Sequence, residues 1–358
     1  MISSAQREQF DEQGYLVVRG LLDVGTDIDP FKANYAQYLD TLADILLKDA
    51  APALRASYDA QPFPARFAML LGCTGGALLH HLDPILSVLL YDYRLRSEWP
   101  PAQHPELFRL IRTERLLDAL EGLLGPEITS SPIYHFNLKL NQRHRQIAVK
   151  VADMTGQSAP GLTPNWKFHV GTAAGWHSDA PYGMADAHQS RIVNAWIPLT
   201  PATTENACLV IAPGSHRLKH QMGPVAVDIG KTAVPLPVQP GDVIFLHNNI
   251  AHTALDYRAA DGFRWAFNFR YLPTGEPTGR PFLPEFIARS HAAPERELRD
   301  GVLWGKMWGA ALDYLSGHRV PKTYGRTLAE AEAITARWRA ATPNYADWLN
   351  LPPNLIEG

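Results

Sequence analysis

The chain has 358 residues, of which 46% are hydrophobic and 19% are charged. This length allows one large domain or two ordinary ones, and the composition is that of a compact globular protein rather than a disordered or fibrous one. With 33 basic and 36 acidic residues the formal net charge is −3, so the chain lacks the basic excess typical of proteins that bind nucleic acid through its phosphates. We expect no nucleic-acid partner.

The sequence also argues against a membrane span, a secretory signal and a disulfide framework. Residues 67–82 form the longest apolar stretch without a formal charge, and they fall short of the roughly 20 apolar residues that a span needs. The first ten residues contain no apolar segment of the kind found in signal peptides. Only Cys73 and Cys208 are present, and we expect both as buried thiols in a reducing compartment. These features predict a cytoplasmic protein without a membrane partner, and they leave its oligomeric state open.

Helical periodicity dominates the beginning and end of the chain, and β periodicity dominates the middle. Helices are predicted over residues 5–13, 30–47, 113–124, 303–315 and 328–342, and one early strand over residues 15–18. Further strands are predicted at residue 128 and over residues 134–140, 147–151, 166–170, 191–198, 207–212, 242–246 and 263–271. We expect one domain over residues 1–358, with a helical N-terminal part (about 1–125), a β-barrel or sandwich core (about 126–275) and a helical C-terminal part (about 280–350).

Two histidines and one carboxylate are candidate metal ligands. His177 and Asp179 are two residues apart in an extended segment, so their side chains point to the same side. His252 follows the apolar strand predicted over residues 242–246. Such a set on a rigid sheet could form the facial triad of an Fe(II) oxygenase, which leaves three positions of an octahedral ion open. His247 is the alternative third ligand.

Polar residues on two predicted strands are candidates for binding an anion. Arg264 comes twelve residues after His252, and an arginine there could hold a carboxylate through two parallel hydrogen bonds. Asn137 and Lys139 alternate along another strand, so both face either the interior of the core or solvent. The basic stretch at residues 141–150, with Arg143 and Lys150, could attract an acidic substrate or could be an ordinary exposed loop.

Several of these motifs occur in the order found in one enzyme family. They are the opening FDEQGYLVVRG at residues 10–20, HSD at 177–179, WIPL at 196–199, ENACL at 205–209, PGSH at 213–216, and PGD at 240–242 leading to His252 and Arg264. With these motifs, the chain up to about residue 299 resembles the phytanoyl-CoA dioxygenase (PhyH) family of Fe(II)- and 2-oxoglutarate-dependent oxygenases.

The resemblance implies a fold, a set of ligands and a reaction. The fold is a double-stranded β-helix, that is, a jelly-roll or cupin-like core. His177, Asp179 and His252 would bind Fe(II), and Arg264 would bind the distal carboxylate of 2-oxoglutarate. At the position of Ala254, relatives often have a small residue with a hydroxyl group. In this chain Thr253 could replace that hydroxyl group, or Arg258 or Arg270 could share the binding of the carboxylate.

The same resemblance implies an O2-dependent oxidation of a small molecule. Halogenating relatives replace the carboxylate ligand by a small residue, whereas this chain has Asp179, which favours hydroxylation of an aliphatic C–H bond with release of succinate and CO2. The alternatives from other classes are a metal-dependent hydrolase and a barrel that binds a metal and a ligand without turnover. The substrate cannot be identified from the sequence, although the basic stretch is compatible with a carboxylate-bearing one.

Overall fold

The structure is a computed structural model that describes residues 2–48, 52–82, 105–157, 175–180, 185–218, 232–280, 283–317 and 327–341. The described chain before the β core is mainly helical, as the periodicity predicted. Its elements are α1 (Ser4–Gln13), β1 (Tyr15–Val18), a π-helical turn (Val24–Ile28), α2 (Asp29–Leu46), α3 (Pro52–Asp59), α4 (Phe63–Cys73), α5 (Leu78–Leu82), α6 (Pro105–Ile111) and α7 (Glu114–Leu124).

Helix α1 has a clear local signal at each end. The Ser3 side chain accepts a hydrogen bond from the backbone N–H of Gln6, and the Gln6 side chain accepts one from the backbone N–H of Ser3. This capping box satisfies two N–H groups at the start of the helix. Gly14 follows the helix with φ of 78°, a left-handed conformation that suits glycine. The chain therefore passes from α1 into β1 through a single residue.

The core consists of two antiparallel sheets. The larger has the strand order β1-β6-β3-β8-β2-β9 and the smaller β5-β4-β7. Their further strands are β2 (Glu127–Leu140), β3 (Val193–Pro198), β4 (Leu209–Ile211), β5 (Val234–Leu236), β6 (Val243–His247), β7 (His252–Ala254), β8 (Phe263–Pro273) and β9 (Phe286–Ser290). The predicted double-stranded β-helix core surrounded by helices is confirmed, but the described strands stay in two sheets and do not form a closed barrel.

The two faces of the large sheet differ because side chains alternate along each strand. One face is apolar and is covered by helices: Phe31 and Tyr35 of α2 contact Trp265 and Phe267 of β8 with ring centroids 4.9–6.3 Å apart. The other face turns toward the small sheet. Its buried polar side chains include Lys139, Asn194, Arg264, Asn268 and Arg270. A polar surface is thus enclosed between the two sheets.

One predicted strand is wrong. Residues 147–151 lie inside a helix, α8 (Gln142–Met154), and not in a strand. The Asn141 side chain caps this helix by accepting a hydrogen bond of 2.9 Å from the backbone N–H of His144. The buried residues Ala148, Val151 and Ala152 follow the helical rather than the strand period. Tertiary packing therefore overrides the β propensity of the valines and isoleucine in this segment.

Helix α8 packs closely on α4 at a glycine. A Cβ on Gly72 would lie 2.3 Å from the carbonyl oxygen of Ala148. The absence of a side chain at Gly72 is thus a condition for this helix contact, since atoms of a larger residue would overlap the backbone of α8. This contact secures α8, which directly follows the strand that contains Lys139.

The C-terminal helices agree with the prediction. They are α9 (Gly301–Gly317) and α10 (Leu328–Ala341), and Trp304 of α9 packs on Phe108 of α6 and Phe286 of β9. The strand predicted over residues 166–170 lies outside the described residues, and the assignment of residues 1–358 to one domain remains a prediction. Within the described ranges, every helix is too short or too polar to cross a membrane.

Candidate metal centre

His177, Asp179 and His252 lie side by side between the two sheets. His177 belongs to an extended segment that pairs with the first residue of β7: the backbones of His177 and His252 exchange hydrogen bonds of 3.1 and 2.9 Å. Their imidazole rings have centroids 4.4 Å apart. One potential ligand atom from each of the three residues lies within 4.8 Å of the other two. The structure thus brings together the three residues that the sequence singled out.

Both imidazoles are oriented by a backbone carbonyl two residues earlier. Nδ1 of His177 lies 2.8 Å from the Gly175 oxygen, and Nδ1 of His252 lies 3.1 Å from the Ile250 oxygen. Because a carbonyl oxygen only accepts, each Nδ1 donates, and the lone pair of the neutral ring is on Nε2. Burial, with the neighbouring His252, lowers the pKa of His177 to about 4. This imidazole is therefore neutral near pH 7, as a metal ligand must be.

The Asp179 carboxylate is buried among donors. Arg270 approaches one oxygen, with Nη2 3.2 Å from Oδ1, and Nδ2 of Asn194 donates to the other, Oδ2, at 2.7 Å. Nδ2 of Asn268 lies 3.4 Å from Oδ2. Burial alone would raise the pKa of this carboxyl, but Arg270 and the two imidazoles lower it to about 2. The group is thus an anion at neutral pH, with its charge matched by one guanidinium.

A second group of polar residues lies farther along the same face. Arg264 of β8 is opposite Lys139 of β2, and the two are 1% and 6% exposed. The Arg264 guanidinium lies over the Trp196 ring at 5.5 Å, and its Nη1 is 3.5 Å from the Asn137 carbonyl oxygen. Among the described residues, no acceptor contacts Nε of Arg264. Burial lowers the pKa of Arg264 to about 10, and burial together with Arg264 lowers that of Lys139 to about 7.

The remaining predicted residues lie apart from this arrangement. Thr253 follows His252 in β7, so alternation directs its side chain to the opposite face of the small sheet. His247, the alternative third ligand, has its ring centroid 5.0 Å from that of His216, with the two rings tilted, and it accepts a hydrogen bond from the backbone N–H of Asn249. Arg258 is exposed. The predicted triad with His252 is therefore the arrangement that the structure assembles.

Two contacts of Asp179 were missed by the sequence analysis. Asn194 is fully buried in the otherwise apolar β3, and Asn268 lies four residues after Arg264 in β8. A single asparagine within an apolar strand is a signal that could have been noticed, since a buried amide needs a partner. Its partner, however, depends on the strand order.

Part of the chain matches a known family in sequence. Residues 108–265 match the model of the phytanoyl-CoA dioxygenase (PhyH) family, and this segment includes the three candidate ligands and Arg264. Phytanoyl-CoA dioxygenase domain-containing protein 1 of Rattus norvegicus is 28% identical over 120 residues, which is 29% of this chain and 40% of the relative. Dioxygenase lolE1 of Epichloe uncinata is 31% identical over 142 residues, 36% of this chain and 52% of the relative. The resemblance to the PhyH family is thus confirmed over residues 108–265.

A solved structure with a similar fold covers nearly the whole chain. It is described as a non-heme monooxygenase, ThoJ, in the apo form, and it matches with a TM-score of 0.50 and 18% identity over 98% of this chain and 99% of that one. At this identity the likeness concerns the fold. The curated relatives, in contrast, are matched over about half of their length or less.

Proposed function

We propose that the protein is an Fe(II)- and 2-oxoglutarate-dependent dioxygenase that hydroxylates an aliphatic C–H bond of a small molecule, with release of succinate and CO2. The observation that supports this most strongly is the convergence of His177, Asp179 and His252, with ligand atoms within 4.8 Å of one another. Two imidazoles and one carboxylate are the donor set of the non-haem iron oxygenases.

The local structure fits a divalent cation in three ways. Both imidazoles have their lone pair on Nε2, since each Nδ1 is engaged by a carbonyl. The Asp179 carboxylate is ionised and supported by hydrogen bonds. All three residues are fixed by backbone pairing, including the bond of 3.0 Å from the N–H of Asp179 to the Asn248 oxygen. A site of this rigidity requires little rearrangement when the ion binds.

The residues around Arg264 fit a dicarboxylate co-substrate. Two buried cations side by side repel each other, so an anion bound between them is strongly favoured. Arg264 and Asn268 are four residues apart on β8, so their side chains lie on the same face of the sheet. Asn268 contacts Asp179, so a molecule with a carboxylate at each end could reach from the Arg264 guanidinium toward the metal centre. We propose that Arg264 and Lys139 bind the distal carboxylate.

In this proposal the chain binds and orients, and the bound iron with 2-oxoglutarate supplies the oxidising chemistry. His177, Asp179 and His252 would hold the ion, and Arg264 with Lys139 would hold the distal carboxylate of the co-substrate. The Trp196 ring lies 5.5 Å from the Arg264 guanidinium and would shield that side of the anion site from water. The two sheets enclose the polar face, and this lowers the local dielectric and strengthens the contact of Arg264 with the carboxylate.

We also propose that the substrate has a carboxylate. Helix α8 follows the strand of Lys139 and has a basic, exposed side, where Gln142, Arg145, Gln146, Val149, Lys150 and Asp153 line a shallow groove of about 350 Å³. Arg145 is near enough to contribute to the lowered pKa of Lys139. This positive potential would attract an acidic molecule to that end of the sheet.

The free thiols Cys73 and Cys208 support the proposed cytoplasmic location.

The test is a screen of carboxylic acids, amino acids and their amides for compounds that stimulate 2-oxoglutarate decarboxylation with Fe(II). Every compound of the screen, whether or not it stimulates decarboxylation, is then assayed for conversion in air and under nitrogen. The proposed dioxygenase forms succinate and oxidised product in air only. Conversion of a compound under nitrogen would instead indicate a metal-dependent hydrolase, and binding of metal and ligand without turnover of any compound would indicate a non-catalytic barrel.

A further inference from the structure

The Arg270 guanidinium contacts Asp179 at two points, the carboxylate and the backbone carbonyl group. Nη2 of Arg270 lies 3.2 Å from Oδ1 of Asp179, and Nη1 donates to the Asp179 carbonyl oxygen at 3.3 Å. Both side chains are almost completely buried, with exposed fractions of 2% and 6%. One guanidinium therefore fixes the carboxylate relative to the peptide group of the same residue, which restricts rotation about the bonds between them.

Asn194 holds the other oxygen of the same carboxylate. Its Nδ2 donates to Oδ2 of Asp179 at 2.7 Å, and the amide must face this way because a carboxylate only accepts. Asn194 has no exposed surface, and its place in the middle strand of β6-β3-β8 holds it against rotation. Both oxygens of Asp179 thus have a donor on a rigid strand.

Arg270 and Arg264 are on the same face of the same strand but have different surroundings. Arg270 contacts Asp179 directly, whereas Arg264 is six residues away, about 20 Å along the strand, beside Lys139 and Trp196. This separation argues against Arg270 as a second ligand for the distal carboxylate of 2-oxoglutarate.

We infer that Arg270 and Asn194 are positioning residues that hold the carboxylate of Asp179 toward the two imidazoles, so that a divalent cation meets a preformed set of three donors. The inference rests on the proposed function, because it assigns a role to residues around the same metal site. Partners that orient metal ligands typically change metal affinity by about 10- to 100-fold when they are altered.

The test is a titration with Co(II) alone, under nitrogen, of the wild-type protein and the variants Arg270→Lys and Asn194→Ser. A lysine keeps the positive charge but lacks the planar fork that places Nη2 on the carboxylate and Nη1 on the carbonyl oxygen of Asp179, and a serine is too short to reach Oδ2. We expect Co(II) to bind about 10- to 100-fold more weakly to each variant, with an altered visible spectrum of the bound ion.

The matched control is Arg112→Lys. Arg112 is a largely enclosed arginine, with 13% of its side chain exposed. Its Nη2 contacts both a carboxylate, that of Glu297 at 3.2 Å, and a carbonyl oxygen, that of Ala288 at 3.1 Å, but neither partner belongs to the metal site. We expect this variant to lose thermal stability as Arg270→Lys does, while its Co(II) affinity stays within about twofold of the wild type.

Each outcome of the titration decides between the proposals. If the wild-type protein binds no Co(II), the proposed metal site and this inference both fail. If it binds Co(II) and a folded Arg270→Lys variant binds equally well, only the inference is overturned. It is also overturned if Arg112→Lys weakens binding as strongly. Where Arg270→Lys does not fold, the affinity of Asn194→Ser decides in the same way.

Discussion

Lys139 and Arg264 lie directly opposite each other on β2 and β8, with both side chains buried on the face that turns toward the small sheet. Like charges in this position destabilise a sheet, and burial adds the cost of removing them from water. A carboxylate bound between the two groups, as proposed above, would offset both costs.

The variant Arg264→Met separates binding from folding. It removes a buried charge that repels Lys139, so the thermal unfolding midpoint without 2-oxoglutarate should be equal to that of the wild type or higher. The 2-oxoglutarate concentration for half-maximal succinate release should rise about 30-fold or more, because breaking a buried charge pair costs about 2–5 kcal/mol. The exposed Arg258 provides the control: Arg258→Met should change neither value. If Arg264→Met needs the same 2-oxoglutarate concentration as the wild type, the result would point to Arg258 or Arg270 as the residue that binds the carboxylate.

The affinity for 2-oxoglutarate should fall as the pH rises from about 6.5 to about 9. Burial, and after it the charge of Arg264, lowers the pKa of Lys139 to about 7; Asp256 opposes this effect and Arg145 adds to it. Lys139 therefore loses its charge in this pH range and attracts the dianion less. Calorimetry at pH 8 in buffers of different ionisation enthalpy should show uptake of up to about one proton on binding. Lys139→Met should abolish both effects; a pH-dependent affinity that persists in this variant would contradict the assignment.

The same pKa shift has an effect on stability in the absence of the anion. A lysine that is harder to protonate in the folded than in the unfolded state destabilises the fold fully below about pH 7, and this contribution disappears as the pH approaches the ordinary value of about 10.5. The difference in unfolding free energy between Lys139→Met and the wild type should therefore decrease from pH 7 to pH 10. Chemical denaturation at several pH values measures it, and a constant difference would contradict the shift.

The contact between α4 and α8 should be sensitive to a single methyl group. In Gly72→Ala the new Cβ would overlap the Ala148 carbonyl oxygen at 2.3 Å, and we expect a loss of about 1–3 kcal/mol in the free energy of unfolding. Gly309 lies in α9 with no described atom within 4 Å of a Cβ, so Gly309→Ala should stabilise by about 0.5–1 kcal/mol. Urea denaturation compares the two; equal effects would show that the helix contact does not require glycine.

The pairing of His177 with Asp179 was predictable because its signal is local. His177 and Asp179 are two residues apart in an extended segment, and this spacing alone places them on one side. The role of Asn194 was not predictable in this way. Its contact with Asp179 requires β3 to lie beside β8, and strand order follows from packing of the whole core rather than from the sequence around one asparagine.

The secondary structure of residues 147–151 likewise depends on contacts with residues that are distant in the sequence. The run contains β-branched residues, which favour a strand, but the Asn141 cap and the buried side of α8 at Ala148 and Val151 favour a helix. The deciding contact is with Gly72, more than 70 residues earlier in the chain. Local propensity cannot include a partner so distant in sequence.

The most direct test of the central claim is succinate release from 2-oxoglutarate, in air and with Fe(II), by the wild-type protein and by His177→Ala, Asp179→Ala and His252→Ala. We predict release by the wild type and none above background in the three variants, because each loses a metal ligand. His247→Gln, which changes a half-buried histidine outside the site, should retain the activity. Wild-type rates of succinate release in a folded His177→Ala or His252→Ala variant would contradict the account.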